Sequence, residues 1–247
     1  VKFTVVEDAE QDKSFRQEAL NIWHKILAAP RTKWGHYSDG KGLELGKIDK
    51  KYSDLALLVV EAENEEQEET GSFGFDLDNP KDNGIEIYLK KSDLPKALSL
   101  LKRKKNLETT FIHEFIHYLD RVRYKDQEAY KKIRMSYDTA TGDYVKYFNG
   151  PLEFNAYAQQ FIKEIEDWLD GQRKIYDKMG RKEKFAKDVL ENILSSFDRF
   201  WKSFPYIAAP NFLFFFKHLS PKNKKKIQRR MYGFYLKLKS DLEKEVE

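Results

Sequence analysis

The 247-residue chain sets 45 Lys and Arg against 41 Asp and Glu, for a net charge of +4, and contains no cysteine. That length can bury one large core or a core with a helical extension, and the near balance of charge carries no overall nucleic-acid signature. Without cysteine there are no disulfides, thiolate metal sites or cysteine nucleophiles, so any metal must be held by His and carboxylate.

The first residues, VKFTVVEDAE, form no basic-then-apolar leader, and a cytoplasmic location is the default expectation. Residues 1–7 alternate β-branched side chains and predict a short strand. Ser14 with Gln17 three residues on reads as a capping box, opening a helix whose apolar face is Phe15, Ala19, Ile22, Trp23, Ile26 and Leu27 and which stops before Pro30. His24 belongs to that helix in a structural role. Residues 31–54, rich in Gly, Lys and Asp, predict a long loop around Trp34 and His36. The apolar run 55–60, LALLVV, predicts a strand buried on both faces.

An acidic tract, 61–69, reads as a solvated loop. Residues 73–77 and 85–89 then predict two strands of a hairpin, joined through the turn residues Pro80 and Asn83-Gly84. A helix over 93–105 ends in a basic run, and Asn106 punctuates before the next.

Residues 107–124, LETTFIHEFIHYLDRVRY, carry the chemistry. On a helix of about 3.6 residues per turn, His113 and His117 stand one above the other, and Glu114 lies about 100° round the axis. This HExxH spacing supplies two zinc ligands and a general base. Leu107, Phe111, Ile112, Phe115, Ile116, Leu119 and Val122 form a broad apolar stripe, which predicts a buried helix. Buried imidazoles need partners.

A catalytic zinc takes a third protein ligand and keeps one position open. Asp120 shares the ligand face but lies roughly 10 Å along the axis from His113, which suits it to support a ligand rather than to be one. Glu128 follows on the same helix or just past it, with no chain reversal to bring it back. Glu153 is the better candidate: Asn149, Gly150 and Pro151 signal a helix start, Phe154, Ala158, Phe161, Ile165, Trp168 and Leu169 supply its apolar stripe, and small Ala156 permits close approach to the metal helix.

Together these residues resemble the gluzincin metallopeptidases, in which HExxH on one helix is completed by a glutamate on a later one. The match lies in His113, Glu114 and His117, in Glu153 within EFNAYA, and in Asp120 of HEFIHYLD, and it is most similar to small gluzincin cores such as the catalytic domain of anthrax lethal factor. One turn after the glutamate, where thermolysin-type members carry aspartate, this chain has Tyr157. The resemblance implies one zinc ion held by His113, His117 and Glu153, with Glu114 activating its water. It implies that the strand before the metal helix, 85–89, pairs with an extended protein or peptide substrate, and that Tyr144, Tyr147 or Tyr157 assists the oxyanion.

Beyond Asp170, residues 181–200 predict an amphipathic helix, and the aromatic run 204–219, interrupted by Pro205 and Pro210, is shorter than a membrane span of about 20 residues. Residues 222–230, KNKKKIQRR, open a last helix with a basic face that is most simply solvated, with nucleic acid or anionic lipid as the other readings. The expectation is an α+β zincin-like core over residues 1–170, a helical part over 171–247, and a zinc-dependent metallopeptidase. Its rivals are a hydrolytically silent zincin scaffold that binds nucleic acid or an acidic partner through 222–230, and a metallohydrolase of another bond.

Overall fold

The computed structural model describes residues 2–37, 40–65, 70–75, 83–123, 143–207 and 210–246. Its contacts divide the chain into two units, one spanning Phe15–Tyr130 and the other combining Val1–Ser14 with Lys131–Glu247. The architecture is mixed α+β: the first unit holds the sheet, and the second is helical in its described part. Asp170, where composition suggests a boundary, lies inside a continuous helix.

Among the described residues the sheet has five strands: β1 (Gly35–Tyr37), β2 (Gly40–Glu44), β3 (Leu55–Glu61), β4 (Gly71–Phe75) and β5 (Asn83–Leu89), in the order β1-β2-β3-β5-β4. Among the described strands, only β3 and β5 run parallel. Their apolar sequences, LALLVVE and NGIEIYL, suit these interior positions, and alternation buries Leu55, Leu57 and Val59 together with Ile85, Ile87 and Leu89. The other face of β3 is half-covered rather than sealed.

Three sequence expectations are corrected here. Residues 1–7 are not a strand: α1 runs from Lys2 to Ala28 as one helix. No Gly or Pro punctuates residues 1–13, and the strong helix formers that follow extend the helix through the β-branched stretch. Ser14 is therefore helix interior and caps nothing. Residues 31–54 are not one loop, since they hold β1, β2 and three 3-10 turns. Glycine-rich β2 has little strand signal of its own and owes its pairing to β3, where a Cβ on Gly40 would meet the Val59 carbonyl oxygen at 1.9 Å. The helix expected over 93–105 is a 3-10 stretch, Lys91–Lys96, followed by α2 (Ala97–Arg103).

Helix α3 (Lys105–Arg123) lies against β4 and β5. Trp23 of α1 packs on Phe111 with ring centroids 5.1 Å apart, and Phe111 in turn stacks on Phe115 at 5.5 Å. Asp54 pins the arrangement: one carboxylate oxygen accepts from Tyr118 Oη at 2.9 Å, and the other from Asn83 Nδ2 at 3.0 Å. Helix, loop and strand thus share one carboxylate. Burial and that bond push the Tyr118 hydroxyl well above the usual tyrosine range.

The second unit contains α4 (Tyr144–Asn149), α5 (Pro151–Lys178), α6 (Lys182–Asn192), α7 (Phe197–Ile207), α8 (Pro210–His218) and α9 (Pro221–Val246). The single helix expected over 181–200 is two, α6 and α7, parted near Ser195. Phe154, Phe161, Phe185, Phe200 and Phe215 are fully buried at its centre. Phe212 and Leu219, from the aromatic run 204–219, also lie in that core. The basic start of α9 is only partly a solvated face: Lys224 Nζ lies over the Phe216 ring and Lys226 Nζ over Phe154.

Candidate metal centre

Along α3 the apolar stripe behaves as its period predicts, with one exception. Leu107, Phe111, Ile112, Phe115, Ile116 and Leu119 are buried, whereas Val122 is 58% exposed near the helix end. Because these residues anchor the helix, the flanking polar side chains are carried into the interior. His113, Glu114 and His117 are all buried, His117 to 1% exposure.

The two imidazoles turn the same nitrogen toward each other, Nε2 to Nε2 at 3.3 Å, with ring planes at 78°. Two nitrogens bound to one tetrahedral zinc at about 2.05 Å stand roughly 3.3 Å apart. The spacing therefore fits shared coordination.

Glu114 stands where α3 crosses the start of β4. A Cβ added to Gly71 would come within 2.6 Å of Thr110 Cγ2, 2.9 Å of the Glu86 carbonyl oxygen and 3.2 Å of Glu114 Cγ. Only glycine lets the strand pass this close beneath the glutamate. Nothing in the alternation pattern singled Gly71 out, although a glycine opening a strand is itself a signal of close approach.

On β4 and β5, Ser72, Glu86 and Tyr88 form a small polar cluster, with Tyr88 Oη donating to Glu86 Oε2 at 2.5 Å. Burial first, then that bond, raises the Tyr88 hydroxyl, and the charge of Glu114 adds to the effect.

The expectation that 85–89 offers an edge to substrate is corrected by the pairing. β5 is hydrogen-bonded on one side to β3 and on the other to β4, so both its edges are taken. Among the described strands it is β4 that ends the sheet on this side.

Glu153 occupies the first turn of α5, after Gly150 at the N-cap and Pro151 at the first helical position, as the sequence signal anticipates. Asn149 fixes this helix start: its Oδ1 accepts from Ser220 N at 2.7 Å while its Nδ2 donates to the His218 carbonyl at 2.9 Å. Glu153 is buried and Ala156 fully so. His113, His117 and Glu153 each present one ligand atom, all within 4.8 Å of one another, a group that could hold a metal ion.

The other candidates fall out differently. Asp120 is half-buried on α3, and Glu128 lies outside the described residues. Tyr144 is exposed and packs edge-on against Phe214, whereas half-buried Tyr157 stacks on Phe215 in the helical core. Tyr147 meets Tyr157 at 6.2 Å. His24 is exposed on α1.

Comparison with protein-family models, with curated proteins and with solved structures finds no match.

Proposed function

We propose that this chain is a zinc-dependent metallopeptidase built on a zincin-like core. The observation that carries the reading is the buried pair His113 and His117, with nitrogens at a coordination spacing, and Glu114 in the next position of the same helix. His113, His117 and Glu153 would hold the ion, a His2Glu donor set proper to catalytic zinc. When bound, zinc supplies Lewis acidity and makes water acidic enough to attack near neutral pH.

The rest of the chemistry falls to the protein. Glu114, buried beside the ligands, accepts the proton of the attacking water and returns it to the leaving amine. Its position is set by Gly71 beneath it and by the packing of α3, which limits the rotamers open to it. An extended peptide would lie along β4, the strand that runs under Glu114 and closes the sheet, its main chain adding to the edge.

The test is Glu114→Gln, which keeps the shape of the side chain and removes the base. Zinc content should be unchanged and turnover of a cleavable peptide should fall about a hundredfold or more. Full activity in the variant would refute the assignment.

A further inference from the structure

Charge is distributed unevenly along this chain. Residues 199–240 contain eleven Lys and Arg and no Asp or Glu, which leaves 34 of the 45 cations to face all 41 acids elsewhere. The near-neutral total conceals a strongly basic stretch on an otherwise acidic protein. The stretch covers most of α7, all of α8 and most of α9.

Within it, the cations differ in their surroundings. Lys202 and Lys239, toward the two ends, are drawn to Asp198 and Glu243. Lys222, Lys225 and Arg229 are exposed, and helical spacing puts them on one stripe of α9 that continues through Tyr232 and Leu236. Tyr232 and Leu236 are themselves exposed, at 41% and 37%. The outer face of α8 repeats the combination: Leu213 and Phe214 are 41% and 45% exposed, beside exposed Lys217.

Basic residues alone would suit any polyanion. Aliphatic and aromatic side chains held out beside them select further, because a nucleic-acid backbone gives leucine no apolar counterpart, whereas a bilayer surface sets phosphates directly above an acyl boundary. No helix among the described residues is long and apolar enough to cross a membrane, so the contact is a peripheral one.

We infer that the exposed faces of α8 and α9 dock this chain onto an anionic membrane surface, with Lys217, Lys222, Lys225 and Arg229 on the headgroups and Leu213, Phe214, Tyr232 and Leu236 at the acyl boundary. The inference rests on no part of the proposed peptidase activity. Cosedimentation of the full chain with vesicles of phosphatidylcholine, with and without phosphatidylserine, tests it at physiological salt.

Binding should require phosphatidylserine. Each cation near such a surface contributes roughly fivefold, so Lys222→Gln, Lys225→Gln and Arg229→Gln together should weaken binding about a hundredfold. A second variant, Phe214→Ser with Leu236→Ser, leaves every charge in place and should also lose most binding, with circular dichroism confirming that both variants fold. The inference is overturned by no sedimentation, by equal binding to neutral vesicles, or by a serine variant that binds like the wild type. Displacement from anionic vesicles by a single-stranded or duplex oligonucleotide bound more tightly would overturn it too, in favour of a nucleic-acid surface.

Discussion

Gly71→Ala is the most direct probe of how the sheet supports the site. The added methyl would sit 2.6 Å from Thr110 Cγ2 and 2.9 Å from the Glu86 carbonyl oxygen, against a comfortable carbon contact of about 3.5–4.0 Å. Thr110 is β-branched and stiff at χ1, and the Glu86 carbonyl is main chain of β5 and cannot turn aside, so β4 must shift away from both α3 and β5. Overpacking of this kind costs about 1–3 kcal/mol, offset by the roughly 0.4–1 kcal/mol that alanine gains over glycine through the unfolded chain. The net expectation is a loss of about 1–2 kcal/mol in urea unfolding followed by tryptophan fluorescence.

Thr110→Ser removes the nearest atom, Cγ2, and should recover part of that loss in the double variant, with a coupling of about 1 kcal/mol. The methyl also lies 3.2 Å from Glu114 Cγ, so Gly71→Ala should lower peptide turnover by up to about a hundredfold, as small displacements of a catalytic group do. Stability equal to the wild type, or a double variant showing no coupling, would refute the reasoning.

Metal analysis after native purification should find about one zinc per chain, retained on gel filtration, with His117→Ala abolishing it and Glu153→Gln weakening it. Zinc bound equally well by Glu153→Gln would remove Glu153 from the ligand set. Burial raises the Glu164 carboxyl to about 7 against a smaller opposing effect from its bond to Gln160. Its protonated form therefore favours the fold: that contribution is complete below the ordinary glutamate range and is lost as pH rises through about 7. Glu164→Gln should accordingly stabilise the chain at pH values above about 7, by at most roughly 3 kcal/mol, and do little in acid; a pH-independent difference in thermal unfolding would contradict this. Tyr118→Phe should cost about 1 kcal/mol in the same unfolding assay by removing the bond to Asp54, and an unchanged midpoint would show that bond to be idle.

The centre of the molecule was legible in sequence wherever a single local rule dominated. HExxH spacing fixes the relation of His113, Glu114 and His117 within one helix, and Gly150-Pro151 marks where α5 begins. The apolar runs of β3 and β5 announce interior strands because burial there is dictated by the residues themselves. β2 was illegible for the opposite reason: GKGLE has little strand propensity, and its pairing depends on β3, more than ten residues away. The start of α1 misled because alternation over seven residues is a weak signal beside the helix-forming run that follows. The edge role of 85–89 is an implication of the resemblance alone, and the pairing of β5 with both β3 and β4 is not written in any one strand's residues. The group His113, His117 and Glu153 joins residues from distant segments. Sequence nominates Glu153 for it through the helix start at Gly150-Pro151, the apolar stripe it flanks and small Ala156, and the resemblance adds to that reading.

The order of the strands also bears on how the sheet assembles. β4 and β5 follow one another and pair antiparallel, so their register can be established by closing a short loop, whereas the parallel pairing of β3 with β5 encloses all of β4 within a longer crossover. Local closure is faster than non-local closure. The hairpin that passes beneath Glu114 is thus the portion of the sheet able to form earliest, with β3 and then β2 adding to a template already in place. A circularly permuted chain opened within residues 76–82 would convert that local contact into a remote one, and should slow refolding more than a permutant opened within residues 62–69.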